Sequence, residues 1–182
     1  MPYGQAGVQL NNCALALQAL TQLNHHLPVS EQQIRQGISA AQVLGRCQVV
    51  QEQPLIVLDV SHNEASVSRL AEFVKNKYNL EGRIVAVCGM LADKEVKLSL
   101  TQVSPMISEW FVANVNNERG ASAAEIRQEI IKLSERPVHC FNFVEHAYEN
   151  AKTSLTEHDC LLVFGSFHIA GDILAYIDKA SA

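Results

Sequence analysis

The chain has 182 residues, 48% of them hydrophobic and 18% charged, with a formal net charge of −5. That size suits one globular domain with a modest appendage. The acidic balance, without any basic tract, argues against nucleic acid or an anionic membrane as partner, since both call for clustered Lys and Arg. No apolar run approaches the roughly 20 residues of a membrane span and no basic-then-apolar leader opens the chain, so a soluble cytoplasmic protein is expected.

The first 45 residues read as a short helical segment. "NNCALALQALTQL" carries Ala and Leu at helical spacing, and "LPVSEQQIRQGISAAQ" begins a second helix at a Ser30-x-x-Gln33 capping box. From residue 46 the pattern changes. "RCQVVQEQ" alternates and reads as an antiparallel edge strand in a hairpin. Strands are then predicted over 55–59, 83–89, 109–114, 138–143 and 160–165, with helices over 64–78, 94–107, 122–135, 144–154 and 168–180. Continuous Val/Ile/Leu/Phe strands belong to sheets covered on both faces. The expected fold is α/β: an open, mostly parallel, doubly wound (Rossmann-like) sheet with an antiparallel edge strand, preceded by the helical segment. The five cysteines show no C-x-x-C spacing, and all but Cys13 lie in apolar contexts, so they are expected as buried thiols.

Ligands of open α/β sheets gather outside the carboxyl ends of the strands. There the sequence places Asp59, Ser61, His62 and Asn63 after the first core strand, and Gly89, Asp93 and Lys94 after the second. Asn114, Asn116, Asn117 and Arg119 follow the third, and Gly165, Ser166 and His168 follow the last. Each has a purely structural alternative: Asp59 or Ser61 as helix cap, the glycines as tight strand exits, Lys94 and Arg46 as surface charges. The remaining histidines lack metal-ligand spacing, and no metal site is expected in the chain itself. There is no G-x-G-x-x-G, no G-x-x-x-x-G-K-(S/T) and no G-x-S-x-G. The chain is therefore not a self-contained P-loop ATPase.

Four segments in order, "GRCQVV…PLIVLDVSHNEAS", "VCGMLADKE", "NNERGASAAEI" and "LLVFGSFHIAGDIL", resemble the motifs of the folylpolyglutamate synthase family and its bifunctional dihydrofolate synthase/folylpolyglutamate synthase form, within the Mur-type ligases. The resemblance implies an ATP-dependent amide ligase that adds L-glutamate to dihydropteroate and reduced folates through an acyl phosphate. Residues 1–45 would be the helical tail of an N-terminal ATPase domain, and 46–182 the Mur-ligase-type C-terminal α/β domain. That ATPase domain, with its phosphate loop and most ligands for Mg2+, would be the partner, and the chain alone would be inactive. By the same resemblance Asn12, Arg46, Asp59 and His62 would contact ATP, while Lys94, Ser166 and His168 are glutamate-binding candidates; no residue is assigned as catalytic. Departures are Ser61 for the family's alanine, Glu64 for its proline, Cys47 after Arg46, and "DKE" for "DKD". A peptidoglycan Mur ligase fits these motifs less well. From a different class, the alternative is a noncatalytic nucleotide-binding or assembly module of the same fold.

Overall fold

The computed structural model describes residues 10–41, 43–78, 80–92 and 95–180. It divides into two compact units, Met1–Gln48 and Val49–Ala182. In the first, α1 (Leu10–Leu23) and α2 (Glu31–Ala40) follow one another. The α2 start is the capping box read from the sequence: Gln33 N donates to Ser30 Oγ at 3.3 Å and Ser30 N to Gln33 Oε1 at 2.9 Å. Leu15 on α1 and Leu27 beyond it are exposed.

The second unit is built on a sheet. Its elements are β1 (Gln48–Glu52), which starts at the unit boundary, β2 (Leu55–Leu58), α3 (Glu64–Lys77), β3 (Ile84–Cys88), α4 (Val96–Val103) with a 3-10 turn, β4 (Glu109–Ala113), α5 (Ala123–Leu133), β5 (Val138–Phe141), α6 (Val144–Thr153), β6 (Cys160–Phe164) and α7 (Phe167–Ala180). The six strands run in the order β1-β2-β6-β3-β4-β5. All pairs are parallel except the edge pair made by β1. The doubly wound, mostly parallel sheet with an antiparallel edge is the architecture that the alternation of strand and helix predicts.

Handedness explains the strand order. From β2 through β3 and β4 to β5 the chain walks outward, and α3, α4 and α5 pack side by side along that path. Right-handed crossovers require the return from β5 to β6 to run over the opposite face, where α6 and α7 lie together. Beneath them Ile56, Leu58, Val85, Val87, Leu161 and Val163 form a core with Val144, Ala147, Ile169 and Ile173. Alternate residues of the same strands, including Val57, Ala86, Trp110, Leu162 and Phe164, are also buried, as strands covered on both faces must be.

The outer strand departs from that expectation. As the edge of the sheet, β5 has a neighbour on one side only, and His139 and Cys140 are exposed. Cys140 is thus not the buried thiol expected of an apolar strand, and Cys13 and Cys47 are only partly covered. Cys88 and Cys160 are buried, and burial pushes the Cys160 thiol up to about 12 and that of Cys88 higher still, which makes both poor nucleophiles.

The amino-end rim is held by one carboxylate. Asp159 is buried and accepts from Arg83 N at 2.6 Å, the Arg83 guanidinium at 3.0 Å and Thr156 N at 2.9 Å. Burial acts to raise its pKa, but the hydrogen bonds from Thr156 and Arg83 and the guanidinium charge outweigh burial and hold the carboxyl below its usual range. A depressed folded pKa means stability that is present above the unfolded value of about 3.9 and lost as pH falls through the folded one. Asp159→Asn should therefore lower the urea-unfolding free energy at pH 7 by about 2–3 kcal/mol and flatten the acid limb of the stability profile. An unchanged acid limb would remove this role.

Candidate functional site

The carboxyl ends of β2, β6, β3, β4 and β5 open on one rim because these five strands are parallel. Either side of β6 the chain leaves for opposite faces, since β2 and β3 feed α3 and α4 whereas β6 feeds α7. This is the kind of switch point at which open sheets hold ligands.

After β2, Asp59 N donates to Val163 O at 2.8 Å, which extends the pairing with β6 by one residue. Asp59 is buried, and its Oδ1 accepts from Ser61 N at 2.7 Å, an Asx turn, and lies against the Ser61 hydroxyl. That hydroxyl has a second acceptor in Ser66 O at 2.9 Å. The cap of α3 is neither Asp59 nor Ser61 but Asn63, whose Oδ1 accepts from Ser66 N at 2.9 Å, while Ser66 Oγ accepts from Asn63 N at 3.2 Å. With the helix capped by Asn63, Asp59 shapes the loop instead. His62 Nδ1 lies 2.8 Å from Val60 O. A carbonyl can only accept, so Nδ1 carries a proton and Nε2 is the ring nitrogen left for another partner. The His62 ring meets Phe167, with centroids 5.9 Å apart and a 47° tilt, and so joins the exits of β2 and β6.

After β6, Gly165 takes φ +123°, and a Cβ there would collide with the Gly89 carbonyl. The exits of β3 and β6 thus meet backbone to backbone, and the glycine is required on both counts. Ser166 is buried, and its Oγ accepts from Ile169 N at 3.2 Å, capping α7. His168 is exposed on the first turn of α7, and its Nε2 lies 3.3 Å from Asn117 Nδ2 in the β4–α5 loop.

That loop is fastened to the β3 exit: Ala92 N donates to Arg119 O at 2.8 Å and Ala121 N to Met90 O at 2.9 Å. Beside it a cleft of about 710 Å³ is walled by residues 114–118 on one side and by Asn142 and Phe143 on the other. Asn142 and Phe143 are not among the rim residues that the strand ends point to in the sequence. The available signal was a polar residue where β5 gives way to α6, the same pattern that marked the other strand ends.

The rim therefore unites Asp59, His62, Ser166 and His168. Asn12, exposed on α1, and Arg46, in the turn before β1, belong to the first unit; Arg46 N donates to Val43 O at 3.2 Å. Lys94 and Asp93 lie outside the described residues. Among the described residues no group of three or more His, Cys, Asp or Glu could hold a metal ion, and no helix is long and apolar enough to cross a membrane.

A doubly wound, mostly parallel sheet with an antiparallel edge and helices on both faces defines an α/β domain of the Rossmann-like class. More narrowly, the chain belongs to the Mur ligase, glutamate ligase domain family, which matches residues 45–167. It is 34% identical over 171 residues to the dihydrofolate synthase/folylpolyglutamate synthase of Escherichia coli (strain K12), covering 92% of this chain and 38% of that protein. It is 33% identical to the enzyme of the same name from Buchnera aphidicola subsp. Schizaphis graminum, over 94% of this chain and 40% of the other. A solved structure of E. coli FolC in complex with DHPP and ADP superimposes with a TM-score of 0.87 at 32% identity, covering 97% of this chain and 41% of the other. The bifunctional folylpolyglutamate synthase/dihydrofolate synthase from Yersinia pestis, complexed with AMPPNP and Mn ion, gives 0.83 at 36% identity, over 95% of this chain and 40% of the other. The chain thus spans about 40% of the length of these relatives.

Gly165→Ala should lower stability by at least about 2 kcal/mol, because it joins a strained backbone conformation to a clash with Gly89. Denaturant midpoints of the variant and the parent chain measure this, and equal midpoints would show that the two strand exits separate freely.

Proposed function

We propose that this chain is the C-terminal jaw of an ATP-dependent amide ligase that adds L-glutamate to dihydropteroate and to reduced folates. The observation that carries the reading is the gathering of Asp59, His62, Ser166 and His168 at one switch point, in a domain whose relatives are dihydrofolate synthase/folylpolyglutamate synthases. In such a reaction the γ-phosphoryl group of ATP passes to a substrate carboxylate, giving ADP and an acyl phosphate. The amino nitrogen of glutamate then attacks the acyl carbon, the nitrogen loses a proton, and phosphate leaves as the amide forms. The acyl phosphate must be kept from water and the amine held within attack distance, which two jaws closing on the reactants accomplish.

Within this reading Asp59 receives the ribose hydroxyls. The Ser61 hydroxyl that now lies against it can turn to Ser66 O instead, so the carboxylate can exchange an internal donor for the nucleotide at little cost. His62, its ring held through Nδ1–H to Val60 O, lies next to the nucleotide, and Arg46 offers the phosphates a permanently charged fork of donors. Asn12 contributes from the helical segment. Lys94, Ser166 and His168 hold the carboxylates of the incoming glutamate. The segment 1–45 belongs with an N-terminal ATPase domain, a reading supported by the exposure of Leu15 and Leu27. Among the described residues no group of three or more His, Cys, Asp or Glu could hold a metal ion; in this reading the Mg2+ ion is held with the nucleotide phosphates mostly by groups of that other domain. No step here is assigned to it. The work of the reaction is cytoplasmic in this reading.

Two measurements test the proposal. In the complete ligase containing this chain, Asp59→Ala and Arg46→Ala should each raise KM for ATP about 10- to 100-fold, the equivalent of one lost charge-assisted contact. KM values unchanged in both variants would overturn the nucleotide assignments. The isolated chain should show no glutamate incorporation with dihydropteroate and ATP, and turnover by the chain alone would contradict its role as one jaw.

A further inference from the structure

Asn117 is an exposed loop residue whose amide is committed at both ends. Its Oδ1 accepts from Arg119 N at 2.9 Å, which fixes the oxygen end of the amide. The Nδ2 end lies 3.3 Å from His168 Nε2. An amide N–H can only donate, so that ring nitrogen must be bare and the ring proton must sit on Nδ1. Flipping the amide to accept from a protonated Nε2 would turn an N–H toward Arg119 N and forfeit that bond. The loop cannot simply slide away, because Arg119 and Ala121 are bonded to Ala92 and Met90 at the β3 exit. Asn117 also walls the cleft that runs to Asn142 and Phe143.

We propose that Asn117 is a positioning residue that locks His168 in the Nδ1–H tautomer beside this cleft, so that the ring presents a neutral N–H donor to a carboxylate of the incoming amino acid. The inference rests on the ligase reading for the identity of that carboxylate, but the tautomer itself does not. The charged group coupled to the ring is Asp172, one turn further along α7, which is in turn coupled to Glu145 on α6. The Asp172 carboxyl is raised above its usual range by burial first and by Glu145 next; a cationic His168 would oppose this, and a neutral ring does not. With Nε2 bare, the ring's one N–H is at Nδ1, and that N–H can donate to a carboxylate without a charge on the ring.

The first test is made on this chain. Long-range 1H–15N correlation of its histidines, with His168 assigned through His168→Gln, should show a protonated Nδ1 and a bare Nε2, and Asn117→Leu should abolish that signature while leaving the unfolding midpoint within error. An Nε2–H ring in the parent chain overturns the inference whatever the protein's activity. The second test is made in the complete ligase. Asn117→Leu and His168→Gln should each raise KM for L-glutamate about tenfold with kcat and KM for ATP little changed, and the double variant should be no worse than either. Asn117→Asp should move the pH profile of that KM upward, because a carboxylate against Nε2 favours a proton there. If His168→Gln raises KM and Asn117→Leu does not, the ligase reading stands and the positioning role falls. If neither does, although the tautomer is as described, His168 does not contact glutamate and the inference falls with that assignment.

Discussion

Threading β6 between β2 and β3 is the constraint on which the rest of the molecule depends. A parallel strand inserted late into a sheet must arrive by a right-handed crossover from the far edge, and that single requirement assigns α6 and α7 to the face opposite α3, α4 and α5. It also forces the exits of β3 and β6 together, so Gly165 has to adopt a backbone conformation that other residues rarely take, against the carbonyl of Gly89. The switch point and its crevice are consequences of this insertion.

The two rims of the sheet solve opposite problems. At the amino ends Asp159 draws β2, β3 and β6 together: its carboxylate accepts from Arg83 and Thr156, and its carbonyl from Leu55 N at 3.2 Å. At the carboxyl ends the polar groups hold loops in place and still keep donors and acceptors at the surface, as His62 does with Nε2 and Asn117 with its link to His168. One rim satisfies its charges internally and suits stability. The other is organised by local turns and caps, and this leaves it able to exchange partners with a ligand.

Capping residues link the two levels. Asn63 on α3, Ser122 on α5 and Ser166 on α7 all accept from backbone N–H groups that would otherwise be orphaned. Because Asn63 meets the needs of α3, Asp59 and Ser61 are released to shape the turn ahead of it. The same division of labour at α7 makes Ser166 both a cap and a rim residue, since a hydroxyl that accepts from Ile169 N can still donate its own proton.

The amino-acid sequence determined which segments are strands and helices, the α/β class, the capping box at Ser30 and the rim on which the polar residues fall. These follow from local periodicity and from the rule that parallel strands align their ends. Only the tertiary structure decided the strand order, which puts β5 at the edge and exposes His139 and Cys140 where an apolar run suggested burial. Nor does spacing reveal that Asn63 rather than Asp59 caps α3, that Asn142 and Phe143 wall a cleft with Asn117, or that Asn117 meets His168, 51 residues away. Periodicity records which side of an element faces the core; contacts between residues far apart in the chain depend on the order in which the strands are laid down.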